Sequence, residues 1–339
     1  MSKCDVELLL DPRNSFRAGE VIRGSVRLSA PQLVRTKGVT VELGWRVRGR
    51  GNPGSAVVQT VTLPSGQILG EEALSFELKA PNGPVSHRGE LLEVSWFVRA
   101  QVDIDWAIDP KAEVPVTLLP AVDCREPYLH GSADPELGAD SVRNARPTFG
   151  AATWVLAGFS LVGMILAVRG VQIREAGLIL FGLVFIFIGT VGMVTGLRLF
   201  RRIAGAKLGE VKVQVEPLQP RAGDIVRVDI EVMAKPGARV DGARLILKGV
   251  ERVVRGTGKN RRTTSHALHE SAHELTGDFG PLIAGVTSRW TVGVPIPADA
   301  APTFRETDNR VTWEMEVRLD LPGGLDWTDT ITLGVQSRG

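Results

Sequence analysis

The residues whose types and spacing best suit chemistry are His269-Glu270-Ser271-Ala272-His273, which fit the pattern H-E-x-x-H. On a helix this spacing puts two imidazoles on one face, where they ligate zinc, and sets the glutamate beside the bound water as general base. The chain has five histidines, so two at this spacing is not a trivial match. Leu268, Ala272 and Leu275 also fall at helical spacing. Against a zinc centre, the extended zincin pattern lacks its third ligand, because positions 276 and 279 are Thr276 and Phe279. Glu306 and Glu314 are the other candidates, and Glu314 belongs to a strand around Trp313. A zinc hydrolase with His269 and His273 as ligands and Glu270 as base therefore requires a helix over 266–275. An extended segment there removes it. The favoured reading is non-enzymatic, with no catalytic residue, metal or cofactor.

A second group is cationic. Arg46, Arg48 and Arg50 lead into a loop ending near Gly54, and Arg255, Lys259, Arg261 and Arg262 occupy a similar loop later in the chain. Such loops suit contact with a protein partner or with anionic lipid headgroups, at up to ~1 kcal/mol per basic residue near a membrane surface. The net charge of +2 is too small to predict nucleic acid as a partner. Cys4 and Cys124, the only cysteines, do not make a metal site and are expected to stay reduced.

The elements that position these groups read as short strands. Stretches such as Val6–Leu10, Val21–Leu28, Val39–Val47, Val57–Leu63 and Leu91–Ile104 are separated by Pro12, Gly19, Pro31, Gly38, Pro53 and Pro64. In Val94, Trp96, Val98, Ala100, Val102 and Ile104 every second residue is apolar, the signature of a half-buried strand. The expected fold class is mainly β, with antiparallel sandwiches. The domains are expected at 1–120 and 210–339, joined by linkers at 121–150 and 201–209.

The later flank repeats the earlier one. Ala18-Gly19-Glu20-Val21-Ile22-Arg23 returns as Ala222-Gly223-Asp224-Ile225-Val226-Arg227, and Gly38 before Val39–Leu43 returns as Gly242 before Ala243–Leu247. Arg48-Gly49-Arg50-Gly51 is echoed by Arg255-Gly256-Thr257-Gly258, Ala80-Pro81 by Val294-Pro295, and the strand of Trp96 and Asp103 by that of Trp313 and Asp320. The segment His269–His273 then aligns with the strand-like Val57–Leu63.

Between the flanks, 151–200 carries two apolar runs, about 151–168 and 176–197, around a turn holding Arg169 and Arg174. At ~1.5 Å per residue both are expected to cross a ~30 Å hydrocarbon layer as a transmembrane helical hairpin. Arg143, Arg146, Arg198, Arg201, Arg202 and Lys207 flank the pair, so both termini and both domains are expected in the cytoplasm, at a bacterial inner membrane. Gly158, Gly163, Gly182, Gly189, Gly192 and Gly196 mark a small-residue face. Such a face serves close packing of the two helices, with homo-oligomerisation as the alternative use.

The order of opening strand, glycine–acid turn into a strand, glycine entry to a strand ending in arginines, and long tryptophan strand resembles the arrestin superfamily. The residues that carry it are Ala18–Leu28, Gly38–Gly49 and Leu91–Trp106, then Ala222–Val232, Gly242–Gly256 and Pro295–Trp327. The resemblance implies two arrestin-like, immunoglobulin-like sandwiches and a non-enzymatic adaptor or scaffold that docks membrane or cytosolic proteins through loops and strand edges. It places the Arg46–Gly54 loop where the family has its receptor-probing finger loop. The family's paired phosphate-sensing lysines have no counterpart in Asp5–Asp11, so phosphate sensing is not carried over.

Overall fold

The computed structural model describes residues 4–11, 13–64, 66–104, 109–122, 151–172, 177, 180–185, 208–322 and 326–338. The first half contains β1 (Asp5–Leu10), β2 (Ser15–Arg17), β3 (Val21–Gly49), β4 (Gly54–Leu63), β5 (Gln67–Lys79), β6 (His87–Arg88), β7 (Leu92–Ile104) and β8 (Lys111–Leu119). The first part of β3 lies between β1 and β5, and its last part lies between β4 and β7, which continues to β8. Alternate residues of both parts, including Ile22, Val26, Leu28, Val39, Val41 and Leu43, enter one buried cluster with Trp96 and Val98. The two sheets therefore share a core as the layers of a sandwich.

Pro31 and Gly38 were expected to break this region into two strands. Instead β3 is continuous, and its register shifts between Ala30 and Val34 against β5 and between Thr36 and Gly38 against β7. Bulges of this kind re-aim a strand into the facing sheet without ending it.

The rest of the described chain contains α1 (Ala151–Gln172), β9 (Gly209–Glu216), β10 (Ile225–Ala234), β11 (Arg239–Val240), β12 (Gly242–Arg255), β13 (Arg262–Glu274), β14 (Gly280–Pro281), β15 (Thr287–Pro295), β16 (Phe304–Arg305), β17 (Asn309–Asp320) and β18 (Trp327–Leu333). β10 lies between β9 and β15, as the start of β3 lies between β1 and β5. β12 lies between β13 and β17, and β17 also pairs β16 and β18, repeating the pattern of β3, β4, β6, β7 and β8. Here the crossing between sheets is interrupted by a turn at Gly237, whose φ of 78° suits glycine.

The repeat extends to single hydrogen bonds. Gly19 and Gly223 have φ of 88° and 89°. The amide of Arg17 donates to Glu20 Oε2 at 2.9 Å, and that of Arg221 donates to Asp224 Oδ2 at 2.8 Å. Trp96 Nε1 donates to Pro84 O at 2.7 Å, and Trp313 Nε1 donates to Ala301 O at 2.8 Å. Two expected matches shift. The Ala80 amide donates to Glu20 O and the Ile296 amide to Asp224 O, so Ile296-Pro297, not Val294-Pro295, corresponds to Ala80-Pro81. Arg48 opposes Glu93 as Arg252 opposes Arg310, so Arg252, not Arg255, is the counterpart of Arg48. A local sequence echo was misleading there because register is set by the ladder, not by the hairpin tip.

The membrane placement is corrected. Among the described residues no helix is long and apolar enough to cross a membrane. The charge-free part of α1 stops at Val168, and the helix runs on through Arg169 to Gln172. The two-span hairpin, its lipid contacts, the cytoplasmic placement of both termini and the bacterial inner membrane thus lose their premise. Of the small residues, Gly182 lies close to α1: a Cβ there would lie 2.5 Å from the Ala167 amide nitrogen and 2.7 Å from Gly163 O. Residues 186–207 and 123–150, which include Gly189, Gly192, Gly196 and the basic flanks of the runs, lie outside the described residues.

Candidate functional site

The most elaborate polar arrangement joins the two halves. Its centre is Glu251 on β12, whose side chain is fully buried. Its neighbours in phase along the strand, Leu245, Leu247 and Val253, are core residues, and its counterpart in the first half is the buried Val47. Glu251 instead reaches across to the first half. His87 Nε2 lies 3.3 Å from Oε1, and the amides of Glu90 and Leu91 donate to Oε2 at 3.0 and 2.9 Å. Gly89 leaves the room for this, since a Cβ there would overlap Glu251 Oε1. Burial pushes the Glu251 carboxyl up. The hydrogen bond from His87, the Leu91 amide, the His87 charge and the Glu90 amide outweigh that and hold it below the usual glutamate range.

Beside it, the hairpin tip between β3 and β4 docks on the second half. The Asn52 amide donates to Val254 O at 2.8 Å, and its side-chain nitrogen donates to Gly256 O at 3.2 Å and Asp308 Oδ2 at 2.7 Å. Asn52 Oδ1 accepts from the Gly256 amide at 3.0 Å, while Asn309 Nδ2 donates to Asn52 O at 2.7 Å and to Glu306 Oε2 at 3.2 Å. Apolar contact completes the joint. Trp45 meets Phe304 edge-on at 5.5 Å between ring centres, and Val253, Phe304 and Val311 belong to the first half's buried cluster. With this many donors and acceptors matched across it, the joint favours one relative setting of the halves, because a slip strands the buried Glu251 and Asn309 side chains.

The cationic residues divide around this joint. Arg46, 20% exposed, is held by Glu113 and lies over the Phe97 ring at 4.4 Å. Arg50 is 3.9 Å from Glu90, and Arg261 is 3.0 Å from Asp308. Arg48, Arg255, Lys259 and Arg262 are exposed, with Arg255 opposite Arg262 in register. The loop that follows Arg50 is thus engaged by the second half through Asn52.

The H-E-x-x-H segment lies in the extended strand β13, so the helical zinc geometry is not formed. Alternation places His269, Ser271 and His273 on one face and Glu270 on the other, where it lies 3.8 Å from Lys248 Nζ. Both imidazoles approach the same hydroxyl: Ser271 Oγ is 3.0 Å from His269 Nε2 and 3.1 Å from His273 Nε2. Among the described residues no group of three or more His, Cys, Asp or Glu is placed to hold a metal. Cys4 is buried, and burial followed by the charge of Asp5 pushes its thiol up. Cys124 lies outside the described residues.

Glu251, His87, Asn52 and Asn309 are not among the residues singled out from sequence. One signal was available: Glu251 is a carboxylate in the apolar phase of an alternating strand. Its partner is 164 positions away, and no local pattern points to it.

No family model and no curated protein matches the chain. Among solved structures, it is similar to Spo0M, a sporulation control protein from Bacillus subtilis, at 12% identity and a TM-score of 0.30, over 79% of this chain and 91% of that one. A likeness at this score carries no argument.

Proposed function

We propose that the chain is a non-enzymatic, arrestin-like adaptor, with domains at 1–120 and 210–339, that binds a partner protein by pairing with exposed strand edges. The observation that carries this is the equivalence of β4 and β13. Each is the outer strand beside the central strand of its sheet and, among the described residues, pairs on one side, with β3 or β12. Their hairpins meet at the joint through Asn52 and Gly256, which sets the two edges at a fixed spacing. An open edge offers a row of backbone donors and acceptors to an added strand, with side-chain pockets supplying selectivity. The exposed cations Arg48, Arg255, Lys259 and Arg262 lie near both edges and favour an acidic partner surface.

The test places a photo-reactive residue at Ala272 on β13 or Val58 on β4 in the full chain, with Arg227 on the central strand β10 as control. A discrete cross-linked protein from the edge positions and none from Arg227 is expected. Equal yield from Arg227, or no cross-linked protein at either edge, refutes edge pairing.

A further inference from the structure

We infer that the outer face of the second half carries a binding site for a phosphate monoester dianion, built on Arg252 and Arg310. These residues stand directly opposite each other on β12 and β17. The row continues to Arg305 on β16 and to Ser265 on β13. Directly opposed residues have Cβ atoms about 5 Å apart, and like charges so placed repel. The exposed part of the row thus sets the guanidinium groups of Arg252 and Arg310 against each other.

The chain supplies its own comparison. In the equivalent row of the first half, Arg48 and Arg88 flank Glu93, so the charges alternate. Arg310 takes the place of that glutamate. The rest of the same outer face is balanced. Arg244 meets Asp320 at 3.0 Å, Lys248 meets Glu316 at 3.2 Å, and Arg318 meets Asp320 at 3.2 Å and also Asp326. The acids nearest the arginine row are committed to the joint: Glu306 accepts from Asn309 Nδ2 and from the Asp308 amide, and Asp308 takes Asn52 and Arg261. Arg310 Nε donates to the Glu306 carbonyl oxygen at 3.4 Å, and among the described residues no carboxylate is paired with Arg310. Arg252 and Arg310 are exposed.

In the first half a carboxylate stands opposite Arg48 in the row. With an arginine in that place, Arg252 and Arg310 call for an anion from outside the chain, of about two charges in a compact space. A phosphate monoester supplies about −1.5 to −2 at neutral pH and three acceptor oxygens, which guanidinium groups bind two at a time. The source is either a soluble phosphate compound or a monoester headgroup in a lipid surface.

Calorimetric titration of the full chain with glycerol phosphate, a soluble phosphate monoester, is expected to give saturable binding of one ligand. Affinity should fall tenfold or more in Arg310→Glu, which restores the alternating row, and in Arg252→Gln. It should be unchanged in Arg289→Gln, where the arginine is paired with Glu231. Binding of glycerol phosphate should weaken as pH falls through about 6, where the monoester dianion is lost. Because Arg310→Glu relieves repulsion, its unliganded melting temperature should be at or above that of the wild type. In a parallel arm, Arg310-dependent co-sedimentation with phosphatidic acid vesicles, and not with phosphatidylcholine vesicles, assigns the headgroup source; glycerol phosphate binding without it assigns the soluble one. No saturable binding in either arm overturns the site. So does full affinity in Arg310→Glu, or an equal loss in Arg289→Gln.

Discussion

Replacing Glu251 by alanine, valine and glutamine separates what the buried carboxylate does at the joint. Alanine leaves the Glu90 and Leu91 amides and His87 facing a void. Each orphaned buried donor costs about 1–3 kcal/mol, so the two amides alone put the loss at roughly 2–6 kcal/mol, while relief of the carboxylate's own desolvation pulls it toward the lower part of that range, about 3 kcal/mol. Valine, the residue at the equivalent position 47, fills the space but accepts no hydrogen bond, so it should recover little. Glutamine keeps an acceptor for the two amides and should lose about 1 kcal/mol. The carboxyl is held below its ordinary value in the fold, so its stabilisation is fully present above the unfolded glutamate value of about 4.3 and is lost as pH falls through the lower folded value. Urea unfolding followed by tryptophan fluorescence, with Trp45 and Trp96 buried near the joint, should give the order wild type, glutamine, then valine with alanine, and the gap between wild type and glutamine should close below about pH 4. A valine variant as stable as the wild type would refute the reasoning, because it would show that the stranded amides cost nothing.

Two further outcomes follow from the same geometry. His87→Ala removes the strongest of the effects holding Glu251 down, so the acid-induced loss of stability should begin at higher pH than in the wild type; an unchanged or lower onset in a urea series across pH counts against the contact. Asn52→Ala removes the side-chain bonds to Gly256 and Asp308 and should cost about 2 kcal/mol with no effect on the first half's own core, and hydrogen exchange should show it as faster exchange at the Gly256 and Val254 amides.

Much of the fold was legible because strands announce themselves locally. Alternation in Val94–Ile104 identified β7, and the glycine–acid pairs at Gly19 and Gly223 identified a turn whose geometry the two halves share. The apolar run at 151–168 was legible as a helix, but apolarity alone did not fix what it faces; residues 163 and 167 pack against Gly182, and Leu161, Met164 and Ile165 remain exposed. The H-E-x-x-H pattern was a coincidence of letters, because the period of the chain there is that of a strand, which turns Glu270 away from the two imidazoles.

By itself, then, the sequence determined the class of the fold and its two-fold repetition, since both rest on periodicity and turn chemistry within a few residues. Only the tertiary structure decided the parts that depend on register and on contacts between distant segments. It paired Glu251 with His87, drew the Arg50–Gly54 tip into the joint, and set Arg252 against Arg310 where the first half opposes arginine to glutamate. A hydrogen-bond ladder assigns each residue its neighbours across strands, and a one-residue change in that assignment moves every side chain to the other face.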